Sequence, residues 1–167
     1  MYQIRIMNII KQIPFTIMQI ALFVVISFYV NIDLQYWLLS FFLVFSIRLF
    51  PLIYILITYI HYNYKDKVYF QNDKLVILKK SNKKYEYSLN NIDKIVLYKN
   101  EVADSSSDLY DLYFVRIYFF DKNIYNTTCL MIDNLNQFID KFENMTIDKI
   151  SSGVMYLNRD EKVEKLV

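Results

Sequence analysis

Four lysines crowd one turn of the chain, Lys79 and Lys80 before Ser81-Asn82 and Lys83 and Lys84 after it. Cations converging on a tight turn can meet anionic lipid headgroups, each contributing about 1 kcal/mol when it reaches a charged surface. The competing reading is a solvated hairpin tip whose lysines block strand addition at a sheet edge, and such tips are the commoner case. A second polar pair, Gln19 and Arg48, lies inside apolar sequence. An arginine deep in hydrocarbon costs about 2.5 to 3.5 kcal/mol, and a polar neighbour at the same depth offsets part of that. If the chain reverses near Asp33, Gln19 is that neighbour. One cation with no acidic counterpart makes a poor ion path, so the pair reads as a structural hydrogen bond.

Residues for covalent or acid–base chemistry do not assemble. A phosphate-cradling loop needs glycines so that backbone amides can approach the anion, and the single glycine, Gly153, lies far downstream in Ser151-Ser152-Gly153. The lone histidine, His61, stands at the end of an apolar run, and the lone cysteine, Cys129, falls in strand-like sequence as a small apolar side chain. Asp108 and Asp111 could share a proton, but they flank a polar, serine-bearing stretch and read as a solvated loop. Cys129 cannot close an internal disulfide, and no Cys/His spacing suits zinc. The chain is expected to be no enzyme and to carry no cofactor or metal. The sequons Asn126-Thr127-Thr128 and Asn144-Met145-Thr146 match the glycosylation pattern and would go unmodified in a cytoplasmic domain.

The elements that position these residues begin with two uncharged runs. Residues 12 to 32 carry no charge, and residues 34 to 64 carry only Arg48. About 20 apolar residues span a hydrocarbon core, so the reading is a transmembrane hairpin at 13–62, with helices at about 13–32 and 36–60. Arg5 and Lys11 precede it, Lys65, Lys67 and Lys74 follow it, and the connection has no Lys or Arg. That asymmetry places both termini of a multi-pass protein in the cytoplasm. A cleaved signal peptide is the competitor, but the run is too long and lacks a small-residue cleavage site. Ser27 and Ser40 match in depth as small residues permitting close contact, and Pro51 kinks the second helix.

Beyond the hairpin the chain reads as strands. Residues 63 to 99 hold nine lysines against four acids, whereas residues 100 to 167 hold seven basic residues against twelve acids. Apolar runs at 68–71 and 75–78 flank the turn pair Asn72-Asp73, and Tyr85, Tyr87 and Leu89 alternate with Glu86 and Ser88. Runs at 92–98, 109–120 and 124–130 follow, the last two joined by Asp121-Lys122-Asn123. Then the period changes, with Leu135, Phe138, Ile139 and Phe142 at helical spacing and Asp133 or Asn134 available as N-cap. The domains are a cytoplasmic N-terminus at 1–12, the hairpin at 13–62, a strand-rich domain at 65–145 and a tail at 146–167 that is charged and frayed or marginally helical at its end.

The second apolar run ending FPLIYILITYIHYN, the pair VYFQNDKLVILKK, the segment YEYSLNNIDKIVLYKN and the stretch DLYFVRIYFFDKNIYNTTCLMIDNLNQFI stand in the order of the bacterial pleckstrin-homology-like membrane proteins. The chain resembles that family over roughly residues 10 to 143. The resemblance implies an α+β fold: a two-helix membrane anchor, then a bent antiparallel sheet closed by a C-terminal helix. It implies no single activity. Eukaryotic relatives of the fold bind phosphoinositides at the first strand turn, where this chain has only Lys74. The functional expectation is a non-enzymatic, membrane-anchored interaction or scaffold module that displays such a domain at the cytoplasmic face of a bacterial inner membrane. Its partners would be the lipid bilayer and an unidentified protein, including another copy of itself. The alternatives are a membrane-associated immunity protein against a toxin and, further back, a transport-complex subunit. Nucleic acid is excluded as a partner because the strand-rich part is neutral overall and its lysines do not line a sheet face.

Overall fold

The computed structural model describes residues 1–11, 13–30, 33–99, 112–142 and 145–151, apart from the side chains of 15, 28, 34, 44, 45 and 47–49. The loop acids Asp108 and Asp111, the sequon at Asn144 and the tail 152–167 lie outside the described residues. Three helices come first, α1 (Ile6–Lys11), α2 (Pro14–Val30) and α3 (Leu34–Asn63). Pro14 opens α2, where its missing N–H is harmless and its fixed φ suits the first turn. Seven strands follow among the described residues: β1 (Lys67–Gln71), β2 (Lys74–Leu78), β3 (Lys84–Ser88), β4 (Ile92–Lys99), β5 (Tyr113–Phe119), β6 (Ile124–Thr128) and β7 (Ile147–Ser151). A short helix, α4 (Leu135–Ile139), and a 3₁₀ turn at Asp140–Phe142 stand between β6 and β7.

The strands form two sheets, β1-β2-β3 and β6-β5-β4-β7, instead of one bent sheet. The chain reverses at residues that tolerate a left-handed backbone. Asn72 and Asp73 take φ of 49° and 57°, and Asn82 takes 61° within the turn where the Lys79 N–H donates to the Lys83 carbonyl at 2.9 Å. Their side chains lower the penalty that other non-glycine residues meet there. The helix expected to close the fold is shorter than its apolar spacing suggests and is not the last element. Asn134 caps it, its Oδ1 accepting from the Gln137 N–H at 3.1 Å, and the chain then continues into β7, which pairs parallel to β4 with Ile95 opposite Ile147.

Alternation along β4 and β5 explains how the two sheets meet. Ile95, Leu97, Val115 and Ile117 point to one face, where they meet Val68, Leu75 and Ile77 of the first sheet. Phe138 and Phe142 enter the same core from α4 and the 3₁₀ turn, with Phe70 packed edge-on to Phe142 at 5.3 Å between ring centroids. The N-terminal residues belong to this body as well. Tyr2 exchanges both backbone hydrogen bonds with Val68 on the edge of β1, and its ring meets Phe138 at 5.1 Å.

The opposite face of β4–β6 is apolar too. Val96, Tyr98 and Phe114, together with Leu112, Cys129 and Leu130, form a second core with Leu52, Ile55, Leu56 and Tyr59 of α3. Those four helix residues recur at three- and four-residue spacing, one stripe of a helix laid on a sheet. Tyr59 is wholly buried and meets the Phe114 ring at 6.3 Å. The last turn of α3 is clasped by hydrogen bonds: Asn63 Nδ2 donates to the Asn126 carbonyl at 2.9 Å and Asn63 Oδ1 accepts from Thr128 Oγ1 at 3.0 Å. From α1, Asn8 Nδ2 donates to the Leu130 carbonyl at 2.9 Å.

This docking bears on the hairpin expected from the sequence. Among the described residues no helix is long and apolar enough to cross a membrane. α2 is apolar but has only 17 residues, about 26 Å at 1.5 Å per residue against a hydrocarbon core of about 30 Å. α3 has 30 residues, but Arg48 and Pro51 fall within it and its last turns lie on the sheet. The transmembrane hairpin is therefore not supported. The multi-pass inner-membrane placement with both termini cytoplasmic rested on it and is withdrawn as well. The two helices do pack together. Phe23 meets Trp37 and Phe41 at 5.5 and 5.7 Å, and Trp37 Nε1 donates to Ser27 Oγ, so Ser27 finds its partner in Trp37 and not in Ser40. The Arg48 side chain lies outside the described residues. The register of these contacts sets position 48 nearer the level of Thr16 than of Gln19.

Replacing Tyr59 with Ala should cost about 3 kcal/mol, the usual loss for a large buried aromatic. Urea unfolding followed by circular dichroism should show helix and sheet signals shifting together, whereas an unchanged midpoint would mean that α3 does not share the domain core.

Candidate functional site

The most organised polar constellation lies where α3 hands over to β1. The helix ends at Asn63, and Lys65 takes φ 62°, the left-handed residue that lets the chain turn away from the axis. The next residue, Asp66, is thereby carried into the domain, where it is 3% exposed. A buried carboxylate needs donors, and Asp66 has three. Lys79 Nζ lies at 3.0 Å from Oδ2, the Lys80 backbone N–H donates to Oδ1 at 3.2 Å, and Tyr125 OH donates to Oδ2 at 3.4 Å. Burial, then the neighbouring Asp66 charge, pushes the Tyr125 phenol well above its ordinary pKa, so it serves as a neutral donor. Lys79 also sits 4.8 Å from the centre of the Tyr125 ring, a cation–π contact that helps hold an ammonium out of bulk water.

Two hollows flank this knot. One, of about 720 Å³, runs along α3 and is lined by Ile57, Ile60, His61 and Tyr62 on one side and by Lys79, Lys80 and Ser81 on the other. The second, of about 470 Å³, lies toward the N-terminus and adds Gln3, Ile4, Lys65, Lys67 and Asn82. Tyr64, Asp66, Lys79 and Lys80 line both. Two cations approach the Tyr64 ring, Lys65 Nζ at 5.3 Å and Lys80 Nζ at 5.1 Å from its centre. The chemistry available is recognition of an anion with an apolar neighbour.

The four lysines read from the sequence as one tip are divided between these surroundings. Lys79 and Lys80 face the hollows, Lys79 with its charge matched by Asp66. Lys84 lies on β3 and pairs with Glu86 at 2.5 Å, a contact that holds its ammonium above the usual range and the Glu86 carboxyl below it. Both groups are solvent-exposed, so the pair adds little to stability. Lys83 lies in the turn, where its carbonyl accepts from Lys79. Sequence reasoning missed Tyr64, Asp66 and Tyr125. The signal was the run Tyr64-Lys65-Asp66-Lys67, whose lysines served only as flanking charges although an acid stood between them.

A second polar layer lies beneath α3. Arg116 is 2% exposed on β5, donates from Nε to Asn126 Oδ1 at 2.9 Å, and rests 5.2 and 5.6 Å from the ring centres of Tyr98 and Phe114. Asn126 Nδ2 is buried with no partner among the described residues. The Asn126 sequon is therefore inside the protein. His61 lines the larger hollow and Cys129 is buried in the core under α3. Among the described residues no group of His, Cys, Asp and Glu could hold a metal ion. In comparisons with known proteins, no family model, curated protein or solved structure matches the chain.

Two outcomes follow from the Asp66 knot. Asp66→Ala leaves a buried phenol, a backbone N–H and a half-buried ammonium without their acceptor, and should lower unfolding free energy by about 3 kcal/mol in urea titrations. The second concerns alkali. Tyr59, Tyr113 and Tyr125 are all raised above their ordinary pKa by burial first of all. Unfolded tyrosines lose their protons near about pH 10. Above that pH the unfolded chain binds fewer protons than the native one, so this part of the stability is intact below about pH 10 and falls as pH rises further. Urea midpoints measured across that range should drop, and Tyr125→Phe should flatten the drop. A midpoint indifferent to pH would show that the phenols are not buried.

Proposed function

We propose that the chain is a non-enzymatic docking module that associates with a lipid surface and displays its two-sheet domain there for a protein partner. The observation that carries this reading is the surface of the helical hairpin. Ile17, Met18, Leu22 and Val25 of α2 and Phe42 and Leu43 of α3 are all exposed. Both helices of the hairpin bare such side chains, and apolar surface of that extent needs a covering, which acyl chains supply without a partner of matching shape. Where the hairpin meets the domain stand Lys65, Lys67 and Lys80 with Tyr62 and Tyr64, the residue types suited to a headgroup layer. The resemblance of the sequence to the pleckstrin-homology-like membrane proteins fits the same reading. No helix needs to cross the bilayer for this association.

The test is flotation of the full chain with phosphatidylcholine vesicles. The wild type should float, and Leu22→Asp with Phe42→Asp should leave it in the aqueous fraction, because each acid costs about 2.5 kcal/mol or more within hydrocarbon. Both positions are exposed, so circular dichroism should remain that of the wild type. Equal flotation of wild type and variant would remove the proposal.

A further inference from the structure

We infer that the hollow bounded by Tyr64, Lys65, Lys67, Lys80 and Asn82 is a binding site for a phosphate group. It deepens the docking proposal if the phosphate is a lipid headgroup, but stands without it if the phosphate is free.

Charge carries the first step. Four lysines, Lys65, Lys67, Lys79 and Lys80, line this hollow against one acid, Asp66. The acid is already used, its two oxygens taken by Lys79 Nζ, the Lys80 N–H and Tyr125 OH. Lys65, Lys67 and Lys80 make no ion pair among the described residues. Elsewhere the structure does give exposed lysines acidic neighbours: Lys74 and Lys84 meet Glu86, and Lys94 meets Asp148 at 2.7 Å. Three cations without an ion pair thus line one and the same hollow. A group with two negative charges and several acceptor oxygens matches it better than a single carboxylate.

Placement carries the second step. The cations are brought together by separate parts of the chain, Lys65 and Lys67 by the end of α3 and the start of β1, Lys80 by the turn after β2. Asp66 ties those parts to each other, since it holds the Lys80 backbone N–H while sitting between Lys65 and Lys67. Tyr64 then receives both Lys65 and Lys80 on its ring, so two cations from separate parts of the chain converge on one side chain. Like charges gathered at a fixed place repel, and a bound anion relieves that repulsion. Behind the same residues the larger hollow offers Ile57 and Ile60 of α3, an apolar wall for the part of the ligand next to its phosphate. The sequence-level candidate, Lys79 with Lys80, Lys83 and Lys84, thereby gives way to a site in which only Lys80 is shared as a cation without an internal ion pair.

The test titrates the full chain, kept dispersed in a neutral maltoside detergent, with glycerol 3-phosphate in a calorimeter. In parallel, flotation compares phosphatidylcholine vesicles with and without phosphatidic acid. Saturable binding of one glycerol 3-phosphate per chain is expected, weakened at least tenfold in Lys65→Gln/Lys80→Gln and unchanged in Lys74→Gln/Lys141→Gln. Acetylation of the wild type, read by mass spectrometry, should show Lys65 and Lys80 protected by glycerol 3-phosphate and Lys74 unprotected, which needs no variant to fold. Binding of glycerol 3-phosphate with no effect of phosphatidic acid identifies a soluble phosphate compound; an effect of both identifies a headgroup. Absence of saturable binding together with indifference to phosphatidic acid overturns the site. Equal weakening by the control pair overturns it too, by showing a diffuse charge effect. Equal flotation of wild type and the hairpin variant leaves the glycerol 3-phosphate result untouched, so the two proposals fail separately.

Discussion

The sheet β6-β5-β4-β7 has two apolar faces, and the rest of the structure depends on covering both. Alternation along β4 and β5 sends Ile95, Leu97, Val115 and Ile117 one way and Val96, Tyr98 and Phe114 the other. The first sheet with Phe138 and Phe142 covers one side, and the last turns of α3 cover the other. A strand buried on both sides carries apolar residues at successive positions, as Ile95, Val96, Leu97 and Tyr98 of β4 do. Because α3 must lie along that face, its end is fixed over β6, where Asn63 closes the contact on Asn126 and Thr128. The direction in which the chain leaves the helix is then set, and with it the burial of Asp66.

Asp66 connects the packing to the site. It is a short acidic side chain at a place where the helix has just ended, and its position inside the domain follows from the left-handed turn at Lys65. Once there it must gather donors, and the ones within reach are the first residues of the turn after β2. The lysine-bearing turn is thereby drawn to the foot of the helix instead of projecting from the sheet. The hollows on either side of the knot owe their positive lining to this, and their apolar wall to the outward residues of α3.

Much of the strand order could be read from the chain because turn chemistry and alternation are local. Asn72-Asp73, Ser81-Asn82 and Asp121-Lys122-Asn123 announce reversals by their short polar residues, and the runs between them are rich in the Tyr, Phe, Val and Ile that favour strands. The split into two sheets was not legible, since it depends on which strands lie opposite one another. β7 was missed because Ile147-Asp148-Lys149-Ile150-Ser151 has no clean period and is held by pairing with β4. The hairpin was misjudged for a related reason. A run of apolar residues records that a helix must be covered, and it does not say by what; the stripe Leu52, Ile55, Leu56, Tyr59 is covered by the sheet. Arg116 and Asn126 look solvent-facing in an alternating strand, and only the helix laid over them shows otherwise. For the site, Lys80 was visible and Asp66 was not, because a single acid among lysines acquires meaning only when the fold buries it.

The central claim is that the end of α3 is part of the domain core and that its docking organises the site beside it. Native-state hydrogen exchange on the full chain tests this directly by comparing the amides of residues 52–63 with those of β5. If the claim holds, both sets exchange only through the same global unfolding, with equal opening free energies and equal dependence on urea. Contradiction would be amides 52–63 opening well below the β5 amides and independently of urea, the behaviour of a helix that merely rests beside the sheet.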